Sequence, residues 1–365
     1  MLVMDDLPFS HVEDLGFMRL MTEICPQYKL KQRNFYTSKI CDEMYDSAFA
    51  KIKSIVNKNQ LNCNFAFTTD VWSDTSAGVS LLSLTAHVVT EKFERVNFVL
   101  SAEPLHETHT GEYISMKFDE MLEKWDIPSS TVHCVLRDSG ANMKKALFLS
   151  GLNNIDCTVH KIHLVVKQGL SSKEEIGNLI RKCRSIATHF HHSTMAQDEL
   201  KKIQGRLQEP MLTIIHDSPT RWNSTLYMLE RTQKLKEPLC LYAASNSKLV
   251  KLSNMEWILL SECIKALKPY DEITKELSRS SSSVSDVIPI IVSLKKILQT
   301  NMDYSPVAHA QSSSACLEPE ESEGHNSDSL CKDEEETTNV INIMKITMRA
   351  ELDRRFAGIE STDIL

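Results

Sequence analysis

No apolar run in this chain approaches the roughly 18 to 20 residues a membrane span requires, so no membrane partner is expected. No secretory pattern opens it, because Met1 leads straight into Asp5 and Asp6. No CxxC pair occurs among the 10 scattered cysteines, which argues against a disulfide framework and fits a reducing compartment. An excess of positive charge is also lacking. The net charge is −8, the wrong sign at first sight for a nucleic-acid binder. The acid is local, however. Between Asp303 and Thr338 there are ten acidic residues and one lysine, a balance of −9, which leaves the rest of the chain near +1. A near-neutral body leaves room for a basic face.

What is present is ordinary globular material. The chain has 365 residues, 42% hydrophobic and 25% charged, enough for two or three domains. Residues 1–60 read as a helical segment. Ser10 offers a cap before an apolar stretch through Leu20 and Met21, and Ile40, Met44, Phe49, Ile52 and Ile55 recur at helical spacing. Taken alone, these residues read first as a plain core-packing helical hairpin. Residues 61–170 alternate. Strands are predicted over Phe65–Thr69, Val79–Val89 and Arg95–Leu100, then a helix over Thr110–Trp125, a strand over Thr131–Leu136 and a helix over Ala141–Leu149. Residues 171–300 read as mostly helical, apart from a strand-like Met211–Ile215. Residues 301–339 turn to Ser, Glu, Asp and Pro and read as a disordered acidic linker. Residues 340–365 resume a helical pattern.

Two segments carry the chemistry. Phe65-Ala66-Phe67-Thr68-Thr69 runs into Asp70, and Val132-His133-Cys134-Val135-Leu136-Arg137 runs into Asp138. An apolar, β-prone run ending on aspartate places a carboxylate at a strand end, within reach of a divalent cation and a phosphodiester. Two of them point to a two-metal phosphoryl-transfer site, for which Mg²⁺ or Mn²⁺ suits the hard oxygen donors. The alternative is that each aspartate caps a turn. Cys157 and His160 could form half of a zinc site, but no partner pair lies at a suitable spacing, so no zinc is predicted. Arg221-Trp222 suits a phosphate contact plus base stacking, or is an ordinary surface and core pair.

TTDVWSD, RDSGANMKKAL, CTVHKIHLVV and SPTRWNSTLYMLER, in this order, resemble the hAT transposase superfamily, and in particular the transposase-derived zinc finger BED domain-containing proteins. The resemblance covers nearly the whole chain outside the acidic stretch. It implies an α/β plus all-α architecture. An RNase H-like mixed-sheet core follows an N-terminal helical segment and is interrupted by an all-α insertion after the Cys-x-x-His region. Asp70 and Asp138 match two of the family's three metal-ligand carboxylates. Cys157, His160, Arg221 and Trp222 match motifs that handle DNA ends, with Trp222 stacking on a displaced base and Arg221 on a phosphate. The family glutamate and dimerisation segment are expected beyond Leu365, and the BED finger before Met1. Glu272 and Glu276 match neither. Arg137 is expected to pair with Asp138 and weaken metal binding.

These implications describe a domesticated, nuclear, DNA-associated regulator of transcription or chromatin. It would be catalytically inactive, with vestigial, weak Mg²⁺ or Mn²⁺ binding and weak DNA binding. It would form a homodimer only if the missing C-terminal region were supplied. A protein-interaction scaffold and, less favoured, an active nuclease or transposase are the competing readings.

Overall fold

The computed structural model describes residues 2–59, 65–74, 76–89, 92–218, 220–303 and 327–359. It divides into two compact units, Met1–Asp156 and Cys157–Leu365.

The first unit is a mixed sheet with helices. It opens with α1 (Leu15–Ile24), α2 (Arg33–Ser38) and α3 (Tyr45–Asn59), the last two joined by a π-helical stretch, Lys39–Met44. The strands are β1 (Phe65–Thr68), β2 (Val71–Asp74), β3 (Val79–Val89), β4 (Arg95–Pro104), β5 (Val132–Arg137) and β6 (Asn154–Asp156). Helices α4 (Gly111–Lys124) and α5 (Ala141–Leu149) lie between them in the chain. β3 is the long element. One side pairs along its length with β4, and the other pairs first with β2 and then with β1, all antiparallel. β1 then runs parallel to β5, and β5 parallel to β6. Alternation sets this up, since Leu82, Leu84, Ala86 and Val88 of β3 are all buried. They meet Phe65 and Phe67 of β1, Ile114, Phe118 and Met121 of α4, and Ala146 and Leu147 of α5. From α3, Val56 joins the same core. Each large side chain buried there contributes about 1.5 to 3 kcal/mol.

The second unit is helical: α6 (Thr158–Leu170), α7 (Glu174–His191), α8 (Thr194–Leu207), α9 (Trp222–Lys234), α10 (Lys236–Ser245), α11 (Asn254–Leu277), α12 (Val287–Asp303) and α13 (Ser327–Arg355). α11 is central and touches α6, α7, α9, α12 and α13. It starts on a capping box, with Ser253 and Glu256 bonding reciprocally.

Several expected boundaries move. α6 joins the helical unit and not the sheet, because Ile162, Val165 and Val166 bury in the helical core. Met211–Ile215 forms no strand. The buried Gln204 side chain satisfies both backbone groups of Leu212, at 2.7 and 3.1 Å, in place of a ladder. α13 starts at Ser327, inside the stretch expected to be a linker, whereas 304–326 lie outside the described residues. Val340, Ile341, Met344, Met348 and Leu352 bury at helical spacing. Once they are packed, each preceding residue joins the helix at little cost.

α6 and α13 approach closely at Gly169. A Cβ there would lie 2.2 Å from Met348 Cγ and 3.5 Å from Met344 Cγ. Gly169→Ala is therefore expected to lower stability by about 1 to 3 kcal/mol through overpacking, despite its better helix propensity. Urea denaturation followed by circular dichroism measures this, and an unchanged or raised midpoint would contradict it.

Candidate functional site

Asp70 lies between β1 and β2, not at the end of an isolated strand. The pairing with β3 keeps one register through it, from Thr68 opposite Thr85 to Val71 opposite Leu82. At the junction the Asp70 N–H donates to Ser83 Oγ at 3.1 Å, and Ser83 N–H donates to the Asp70 carbonyl at 3.0 Å. What ends here is the parallel partner. Thr68 stands opposite Leu136, and Thr69 N–H donates to the Leu136 carbonyl at 3.0 Å. Two residues further on, β5 has finished and Asp138 begins a turn. Asp70 and Asp138 therefore follow neighbouring parallel strands at the same end of the sheet. Each carboxylate accepts a nearby backbone N–H, Asp70 from Val71 at 2.9 Å and Asp138 from Gly140 at 3.0 Å. Gly140 is required by closeness, since a Cβ there would sit 2.8 Å from Asn142 Oδ1 and 3.1 Å from Asp138 Oδ1.

Arg137 does not pair with the Asp138 carboxylate. Its guanidinium is buried and turns to β6, donating to Asp156 Oδ1 and, from Nε at 2.9 Å, to Asn154 Oδ1. The backbone carbonyl of Asp138 accepts a bond from it at 2.7 Å. The expected weakening of metal affinity by an Arg137–Asp138 pair is thus corrected. Register explains it, because Arg137 stands directly opposite Asp156. As a metal site the donor set is short. Among the described residues no three His, Cys, Asp or Glu side chains converge to hold an ion. Cys157 caps α6 and His160 lies in its first turn, its ring 6.0 Å from that of His163. Burial, together with the neighbouring His160 and Lys167, holds His163 below the ordinary histidine range.

The Ser218–Thr225 segment is resolved into separate jobs. Trp222 is 4% exposed and sits in the helical core, its indole Nε1 buried without a partner. It presents no face on which a base could stack, which corrects that expectation. The reason is helical spacing: Trp222, Leu226 and Leu229 share the buried face of α9. Asn223 donates to Asp271 at 2.6 Å, and Ser224 Oγ bonds the Ser218 and Arg221 carbonyls. Thr225 donates to Asp217 at 2.9 Å. Arg221 stays exposed. The residue that sequence reading missed is Asp217. Its carboxylate has no exposed surface and takes a forked bond from Arg184, at 2.7 to 3.0 Å. Burial pushes the Asp217 carboxyl up. The Arg184 and Thr225 hydrogen bonds and the Arg184 charge outweigh that and hold it below the ordinary range.

Residues 155–266 match the family model described as the ZBED1 RNase-like helical domain. The chain is similar to human zinc finger BED domain-containing protein 4, 25% identical over 80% of this chain and 25% of that protein. It is also similar to a putative AC transposase of Zea mays, 22% identical over 78% of this chain and 37% of the relative. The third is a putative transcriptional regulator, tpeD, of Talaromyces stipitatus, 24% identical over 75% of this chain and 36% of the relative. The chain is thus similar to transposases and to zinc finger BED domain-containing proteins, as the four motifs led us to expect. It spans only a quarter to under two fifths of the length of these proteins.

Two outcomes follow from the burial pattern. Trp222→Ala is expected to cost about 3 to 5 kcal/mol of stability, as removal of a core indole does. A fully stable mutant in a denaturant titration would put Trp222 back on the surface. Asp217→Asn removes the charge to which the partly exposed Arg184 and Thr225 bond and is expected to cost about 1 to 2 kcal/mol near neutral pH. A carboxyl depressed by folding adds stability above its unfolded value of about 4, and that stability is lost as the pH falls through the folded value. The gap between parent and mutant should therefore hold down to about pH 4 and narrow only below it. A gap of constant size would refute the pairing.

Proposed function

We propose that this chain is the body of a domesticated hAT transposase-like nuclear protein. In this reading it associates with DNA, regulates transcription or chromatin, and performs no phosphoryl transfer itself. The observation that carries it is the sheet end: two transposase-type aspartates follow neighbouring parallel strands, without a third converging ligand among the described residues. The strand order supports an RNase H-like core. β4, β3, the β1–β2 pair, β5 and β6 lie side by side with β3 antiparallel to its neighbours. The helices that follow agree with an all-α insertion. The transposase and regulator relatives support a nuclear, DNA-linked role.

Metal-assisted phosphoryl transfer needs its ligands to fix ion number and geometry. Two carboxylates, each already bonded to a backbone N–H, give weak Mg²⁺ or Mn²⁺ affinity at best. No zinc site is proposed at Cys157 and His160. Of the residues first assigned to DNA, Arg221 keeps an exposed position, His160 is half-buried, and Trp222 is withdrawn. That withdrawal favours the scaffold as second reading, in which the sheet and helices are kept only as a folded platform for protein partners.

Purified chain with Mg²⁺ or Mn²⁺ is expected neither to nick nor to join a supercoiled plasmid. Nicking by the parent that vanishes in Asp70→Asn would replace this reading with the enzymatic one. Absence of any DNA association would favour the scaffold.

A further inference from the structure

The charge of the body is unevenly divided. The sheet unit, through Asp156, carries 15 basic and 21 acidic residues, whereas Cys157 to Asp303 carries 21 basic and 15 acidic. The near-neutral body is thus an acidic unit of −6 and a basic helical stretch of +6.

Within the helical stretch, two short segments hold lysines outward in the same way. In Lys234-Leu235-Lys236, at the α9–α10 junction, Leu235 is fully buried and both lysines are exposed. In Lys248-Leu249-Val250-Lys251, between α10 and α11, Leu249 is buried and both lysines are again exposed. Leu252, next in the chain, is half-buried against the same core. An inward leucine fixes each segment, so its lysines are presented by an ordered backbone. Lys236 Nζ lies 5.5 Å from the ring centroid of Trp257, in the first turn of α11 and six residues after Lys251. Among the described residues none of the four lysines has a carboxylate within ion-pairing distance, unlike Lys182, Lys265 and Lys275 of the same unit. Neither segment contains an acidic residue, and Glu237 follows the first of them.

We infer that Lys234, Lys236, Lys248 and Lys251 form the surface by which the chain grips the phosphate backbone of duplex DNA. This rests on the DNA-associated reading and assigns its contacts to residues of the helical unit and not to the aspartate pair of the sheet unit. Lysine is a point charge with rotatable donors, so such a surface binds without reading bases. Each phosphate neutralised releases counterions, and the log of affinity then falls with the log of salt by about 0.9 per contact.

The test is fluorescence anisotropy of a 30-base-pair mixed-sequence duplex with the full chain, titrated across salt concentrations. The variant carries Lys234→Gln, Lys236→Gln, Lys248→Gln and Lys251→Gln. Its salt slope is expected to be shallower than the parent's by about 3 to 4. Four exposed sheet-unit lysines changed to Gln (Lys29, Lys31, Lys51 and Lys92) should leave the slope unchanged, and the four-arginine version of the helical-unit variant should restore it. Circular dichroism melts check that each variant folds. If the parent binds and the helical-unit variant keeps its slope, or the sheet-unit variant loses as much, this assignment is wrong while the DNA-associated reading stands. If the parent does not bind duplex DNA at all, that reading falls and this one with it.

Discussion

A buried guanidinium organises the end of the sheet. Arg137 is 7% exposed, and a cation so placed must be neutralised and have its donors filled. Asp156 and Asn154, the last residues of the sheet unit, do both. In doing so they turn a three-residue segment with little apolar character into a paired strand. The same guanidinium holds the carbonyl of Asp138. The position of the second aspartate, the pairing of β6 and the exit of the chain from the sheet unit therefore depend on one ion pair. It leaves the Asp138 carboxylate to its turn.

The helical unit repeats the device with different residues. Asp217 is buried, neutralised by Arg184 and tied to α9 through Thr225. Asp271 in α11 does the same for Asn223 and Tyr227. Two buried carboxylates thus anchor a motif that looks, as a string of letters, like a nucleic-acid contact. Removing one partner of such a pair costs far more than the pair adds over a well-packed apolar core. A motif of this kind therefore persists for architectural reasons alone, and a functional role for it has to come from the exposed Arg221.

Much of the sheet unit was legible. β3 and α5 occur over the residues predicted, because strict alternation and a periodic apolar face leave few other solutions. β2 and β6 were not, since segments of four and three residues without alternation carry no periodic signal and form only because neighbours offer free edges. The strand reading of Met211–Ile215 failed because β-propensity reflects surroundings, and Gln204 supplied different ones. For Trp222 a signal existed: Leu226 and Leu229 lie at helical offsets from it, which places the indole on the core face. Adjacent Arg and Trp drew attention to chemistry where periodicity pointed to packing. The charge division was hidden because the reading separated only the acidic stretch. The unit boundary after Asp156 separates the acidic sheet unit from the basic stretch between Cys157 and Asp303.

The central claim is that the aspartate pair survives as geometry without tight metal binding. Titration of the chain with Mn²⁺, followed by electron paramagnetic resonance of the free ion, tests it directly. The account predicts a dissociation constant on the order of millimolar, weaker still in Asp70→Asn. Stoichiometric binding of two ions at micromolar concentration, lost in Asp70→Asn or Asp138→Asn, would contradict it.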